Sequence, residues 1–176
     1  MVLRILLVLM FCGCLSAQAA INMFLRMDPI QGESLDQNHR DQMDVLAWSW
    51  GMSMPLVAGG GGTGRVNIQD ISITKYVDKA SPALMLGCSS GTHYKTAVLS
   101  MQKSGASATR DFMVITLEDV IVTSYNTGGS AGGDLLTENI ALNFSKVRVE
   151  YWQQRQDGSY VAIAPYGWDV KANVPL

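Results

Sequence analysis

The sequence predicts a mainly β protein: a small closed or nearly closed β-barrel of two sheets with one short α-helix. Three observations predict it. Seventeen glycines stand against five prolines in 176 residues, with valine, isoleucine and threonine plentiful, a composition suited to strands joined by many turns. Apolar residues recur with period two along most of the chain, and one stretch only carries helix start and stop signals. Two apolar runs change phase part-way, as strands do at β-bulges, and bulges bend strands as a small barrel requires.

Residues 1–19 read as a cleaved secretory signal peptide. Arg4 is their one charge, Ile5 to Leu15 is apolar, and Ala17-Gln18-Ala19 supplies small residues for cleavage. The run is shorter than the roughly 20 residues that span a bilayer, so no membrane anchor is expected. A single domain then occupies 20–176. Cys12 and Cys14 would leave with the signal, and Cys88 alone makes neither an internal disulfide nor a zinc site. With only His39 and His93 besides, no metal or other cofactor is expected. Sparse charges of both signs and a formal net charge of −2 exclude a nucleic-acid surface.

Asn22 to Met27 opens the domain as a strand, and Asp28 to His39 is a polar loop. Val45 to Met52 is the best-defined strand. Leu46, Trp48 and Trp50 share one face, which needs covering, and Val45, Ala47 and Ser49 share a smaller, partly polar face suited to lining something roomier. Ser53 to Gly64 is a long glycine-rich loop, of the kind that is usually either functional or mobile. Arg65 to Lys75 alternates with a phase change near Gln69-Asp70.

Ser81-Pro82 starts the helix with a hydroxyl cap and a first-position proline. Its body, Ala83 to Cys88, ends by Gly91, with Leu84, Met85 and Cys88 turned to the barrel. Thr96 to Lys103 is a strand, and Asp111 to Tyr125 is a long strand apolar on both faces, which places it centrally or at a subunit contact. Asn126 to Asp134 is a second glycine-rich loop. Thr137 to Trp152 is one strand that changes phase near Ser145-Lys146. Asp157-Gly158 signals a hairpin, and Tyr160 to Val170 closes the domain.

Several motifs suggest chemistry and lack its context. Gly59, Gly61 and Gly64 fit the dinucleotide fingerprint, but a β-patterned run follows instead of a helix. The same glycines have P-loop spacing, but Arg65-Val66 stands where Lys and a hydroxyl residue are required. Gly87-Cys88-Ser89-Ser90-Gly91 fits a nucleophile elbow, but the helix precedes it and the last histidine is His93. Glu118 and Asp119 are strand neighbours and point apart. Cys88 with His93 reads as packing. No catalytic constellation survives, so the protein is expected not to be an enzyme.

One ordered set of residues carries a resemblance. Asp44-Val-Leu-Ala-Trp-Ser-Trp-Gly51 precedes the glycine loop. Val66-Asn-Ile-Gln-Asp70, Thr74-Lys-Tyr-Val-Asp78, Ser81-Pro82, Cys88-Ser-Ser-Gly91, Thr137-Glu-Asn139, Leu142-Asn-Phe144 and Tyr166-Gly-Trp168 follow. From about Met23 to Val174 the chain resembles Hcp, the tube protein of the type VI secretion system. The resemblance implies homohexameric rings that stack into the inner tube of a contractile machine. The tube would lie beneath a VgrG-type spike and inside sheath proteins, with small effectors in its lumen. It implies that Ser49, with Ala47 beside it, faces the channel. Gly59, Gly60, Gly61, Gly62, Thr63 and Gly64 would form the loop that reaches the next ring. The N-terminal segment departs from the pattern. A genuine signal would make the chain periplasmic or extracellular, and a misassigned start would leave it cytoplasmic before secretion. An exported virulence or binding factor acting outside a tube is the alternative, with Tyr151, Trp152, Tyr166 and Trp168 as its aromatic platform.

Overall fold

The computed structural model describes residues 20–55, 64–104, 110–132 and 135–176. The expected signal peptide and all of Gly59 to Thr63 lie outside the described residues. Along the chain run β1 (Ile21–Arg26), β2 (Met43–Ser49), β3 (Met52–Ser53), β4 (Asn67–Ile68), β5 (Ile71–Tyr76), α1 (Ser81–Ser90), β6 (His93–Lys103) and β7 (Asp111–Gly128). Then come β8 (Thr137–Asn143), β9 (Lys146–Gln154), β10 (Tyr160–Ala162), β11 (Tyr166–Asp169) and β12 (Val174–Pro175). Strands β7, β6, β1, β2, β5 and β8 pair in that order, and β8 returns to β7, closing a six-stranded antiparallel barrel. β9 continues outward from β7, with β11 and β10 on its far side, while β3 and β4 form a separate two-stranded hairpin.

The core follows the alternation. Leu25, Ile71, Ile73, Ala97, Leu99, Ile115, Leu117, Ile140 and Leu142 are almost entirely buried. The phase change expected in the 137–152 run falls between Phe144 and Ser145, where β8 gives way to β9. Ile140, Leu142 and Phe144 point inward before it and Val147 after it. β7 changes phase opposite, with Ile115 and Leu117 inward, then Val120 and Val122. Register is kept across the corner, Glu118 facing Lys146 and Ile121 facing Asn143, with Asp119 and Val120 opposite Phe144 and Ser145 outside the paired residues. Both strands turn over the same stretch, so the register survives the bend, and Asp119 takes the left-handed conformation there, φ 55.

Three expectations need correction. In β2 the register skips a residue, since Val45 faces Lys75 but Ala47 faces Thr74. Leu46 is therefore the extra residue of a bulge and is exposed, and the inward set is Met43, Val45 and Trp48. A strict period of two cannot reveal this slip. Near Gln69-Asp70 the chain does more than bulge, because β4 and β5 belong to different sheets there. In α1 the cap position is Ala80, and Ser81 is the first helical residue. Ser81 Oγ accepts from the Asp78 N–H at 3.0 Å, and Asp78 Oδ1 accepts from the Ala80 N–H at 2.9 Å. Leu84 and Gly87 face inward, while Met85 faces out and Cys88 is half-buried. Gly91, φ 64, ends the helix as expected. Gly87 is required by close approach, since a Cβ there would lie 2.3 Å from the Tyr94 hydroxyl oxygen.

Candidate assembly surfaces

Strands β2, β5, β8 and the last part of β7 form one wall of the barrel. Its inner side carries Ile71, Ile73, Ile140 and Leu142, so the alternate residues point outward. These are Ala47 and Ser49 on β2, Ser72 and Thr74 on β5, and Asn139 and Ala141 on β8. Ala47 and Ser49 are exposed, and the others are half-buried. Asn139 ties the polar ones together, its Nδ2 donating to Ser72 Oγ and to Thr74 Oγ1, both at 3.1 Å. These six side chains are small and uncharged, and the exposed Asp44 and the Asp70 carboxylate, held by Thr123 and Asn143, border them.

Both edges of the wall lack a partner among the described residues. β1 pairs with β2 only from Met43 to Val45, so Leu46 to Ser49 have β5 on one side and no strand on the other. The parted strands leave a groove of about 540 Å³ lined by Ile21, Met23, Leu35 and Leu46. At the other edge β6 starts at His93, opposite Ile121, and Ser124 to Gly128 pair with β8 alone. Successive antiparallel pairings make β2 and β7 run in opposite directions.

Beyond Ser49 the chain leaves the wall, and β3 pairs with β4. Met52 faces Ile68 and Ser53 faces Asn67. Gly64, the one described residue of the glycine cluster, packs against Pro55. At the opposite end of β5 and β8, Tyr76, Val77, Leu135 and Leu136 are exposed together, with the Val77 N–H on the Leu136 carbonyl at 3.0 Å.

The comparisons with known proteins give this surface its context. Residues 24–151 match the family described as type VI secretion system effector, Hcp. Protein hcp1 of Pseudomonas aeruginosa is 48% identical over 159 residues, covering 88% of this chain and 98% of that relative. The chain belongs to the Hcp family. A crystal structure of Hcp1 from Salmonella typhimurium aligns with a TM-score of 0.73 at 33% identity, covering 90% of this chain and all of that one. A structure described as a type six secretion system protein aligns with a TM-score of 0.83 at 28% identity, covering 89% and 100%. Hcp membership makes this a structural, non-enzymatic protein of the type VI secretion machinery, secreted by that route. The periplasmic route expected from residues 1–19 finds no support in these relatives.

Within this Hcp barrel the tempting motifs have structural explanations. Ser89 Oγ donates to the Met85 carbonyl, an ordinary helical back-bond. His93 Nδ1 lies 2.6 Å from Asp119 Oδ1. Asp119 also accepts from Lys171 Nζ at 2.7 Å and from Ser145 Oγ. Those bonds, Lys171 first, then Ser145 and His93, hold its carboxyl well below the usual range. It is an anchor at the barrel corner, and Glu118 points away into solvent. The four aromatics form no platform. Tyr151 is exposed and edge-on to Phe112, Arg110 lies over Trp152, and Tyr166 and Trp168 pack against the core.

Sequence reasoning missed a buried ionic cluster. Lys75 is fully buried, and its Nζ donates to Glu138 Oε1 and Asp78 Oδ1, both at 2.8 Å, and to the Tyr76 carbonyl at 2.7 Å. The Tyr125 hydroxyl donates to the other Glu138 oxygen. Burial, then this bond, push the Tyr125 pKa up to about 12. The signal was present in the alternation, because Lys75 is in phase with Ile71 and Ile73, and Glu138 with Ile140 and Leu142.

Proposed function

We propose that this Hcp protein forms homohexameric rings that stack head to tail into the inner tube of a type VI apparatus. A VgrG-type spike would cap the tube, sheath proteins would surround it, and small effectors would travel in its lumen. The observation that carries the ring is the pair of free wall edges. β2 and β7 run in opposite directions, so the β2 edge of one copy meets the β7 edge of the next as an antiparallel pair. One such contact, repeated by rotation, is heterologous and closes on itself. It also satisfies backbone groups that an isolated barrel leaves open at both edges.

Ring closure by these edges puts the small-residue face of Ala47, Ser49, Ser72, Thr74 and Asn139 on one continuous inner wall. Small, uncharged side chains there leave the channel wide and give a passing cargo no strong anchor. The hairpin lies at one end of the wall and the apolar group of Tyr76, Val77, Leu135 and Leu136 at the other, an arrangement suited to stacking. Sedimentation and native mass measurement of the purified chain test the reading. A species of six chain masses is expected, and a clean monomer at high concentration contradicts it.

A further inference from the structure

The hairpin that would reach the next ring is poorly supported by its own pairing. Among the described residues two pairs hold β3 to β4, with the Gln69 N–H on the Gly51 carbonyl at 3.0 Å beside them, and pairing of that extent is marginal in water by itself. Its support comes from the far end of the chain. One Arg65 guanidinium nitrogen donates to the carbonyls of Val170 and, at 3.1 Å, Lys171. The Tyr166 hydroxyl reaches Met52 Sδ at 3.8 Å, and Trp50 Nε1 donates to the Gln69 carbonyl at 3.0 Å where the hairpin rejoins the barrel.

The segment that receives Arg65 is itself fixed. The Val170 N–H donates to the Ser145 carbonyl at 2.8 Å, Lys171 Nζ to Asp119, and the Asn173 N–H to the Asp169 carbonyl at 2.8 Å. Arg65 therefore connects a weakly paired hairpin to a C-terminal strap anchored on the barrel corner. We propose that Arg65 is a positioning residue for ring stacking, holding the hairpin base against this strap so that its direction is set before the next ring arrives. The inference rests on the ring reading above. Fixing a docking element in advance removes an ordering cost from association. The planar guanidinium suits two neighbouring carbonyls, whereas a lysine ammonium is a single point of charge on a flexible stem.

The test compares the full-length protein with Arg65→Met and Arg65→Lys, reading ring mass by sedimentation, tube length by electron microscopy, and amide exchange across Met52–Ser53 and Asn67–Ile68. Arg65→Met is expected to keep ring mass, shorten tubes and speed exchange in the hairpin about ten-fold, the effect of losing a charge-assisted hydrogen bond. Arg65→Lys is expected to fall between. Tubes of wild-type length in Arg65→Met overturn the proposal, as does loss of the ring with hairpin exchange unchanged. If the wild-type chain itself makes no rings, the assembly reading fails. The exchange result then decides alone whether Arg65 positions the hairpin, and unchanged exchange refutes that.

Discussion

Replacing Lys75 by methionine should destabilise the barrel severely. Lys75 and Glu138 have no exposed side-chain surface, and Asp78 is nearly as deep. Methionine fills similar space but leaves the Glu138 carboxylate buried with only the Tyr125 hydroxyl, and Asp78 with no cation. Breaking a buried pair from one side costs about 3–5 kcal/mol, because an uncompensated charge remains. For a chain of this length that is a Tm loss on the order of 10 °C. Denaturant unfolding at fixed protein concentration gives the free energy, the concentration being held because subunit association adds to apparent stability. Lys75→Met with Glu138→Leu should recover part of the loss, since the Glu138 carboxylate then leaves with its cation while Asp78 still lacks one. Glu138→Gln should cost less than Lys75→Met, because the amide oxygen still accepts from Lys75 while the Tyr125 hydroxyl turns to accept from the amide nitrogen. The cluster also sets an alkaline limit. Tyr125 has a folded pKa near 12 against an ordinary 10.0, so its contribution is complete below about pH 10 and is lost as pH rises toward 12. A Lys75→Met protein within about 1 kcal/mol of wild type, or a strictly additive double variant, would refute the reasoning.

Three further predictions concern the corner, the wall and the hairpin. Asp119→Ala should lose more stability than Asp119→Asn, because asparagine tolerates the positive φ that alanine resists. The folded pKa of Asp119 lies below its ordinary 3.8. The advantage of wild type over Asp119→Asn should therefore be constant above about pH 5 and shrink as pH falls below about 4; acid unfolding curves check this. Ser49→Lys should leave thermal stability within about 0.5 kcal/mol of wild type, as an exposed substitution does, while changing retention of cargo in pull-down; unfolding would show that the outer face is not free. Deleting two residues from Gly59–Gly62 should leave ring mass unchanged and shorten tubes in micrographs.

The alternation of apolar residues makes much of the barrel legible in the sequence. The placing of the strands at Asn22–Met27, Thr96–Lys103 and Asp111–Tyr125, the corner near Ser145, the helix stop at Gly91 and the turn at Asp157-Gly158 follow from local patterns. Gly158 takes the positive φ, 83, that such a turn asks for. What failed depended on register. Leu46 looks like a core residue in a strict two-residue repeat, and only its pairing with β5 exposes it as a bulge. Tyr160 to Val170 looks like one strand, yet Tyr160–Ala162 and Tyr166–Asp169 pair with different parts of β9. The free edges at Leu46–Ser49 and Ser124–Gly128 were invisible for the same reason, because a strand's sequence does not state where its neighbour ends. Lys75 and Glu138 lay on inward phases, but each charge became readable only when the other was placed beside it.

Cysteine cross-linking between the two wall edges tests the assembly account most directly. With the native cysteines replaced by serine, one cysteine is introduced within Leu46–Ser49 and one within Ser124–Gly128, scanning the combinations, followed by mild oxidation and denaturing electrophoresis. The account predicts a ladder of covalent species that ends at six chains for at least one combination. Monomer alone across the whole scan would contradict it.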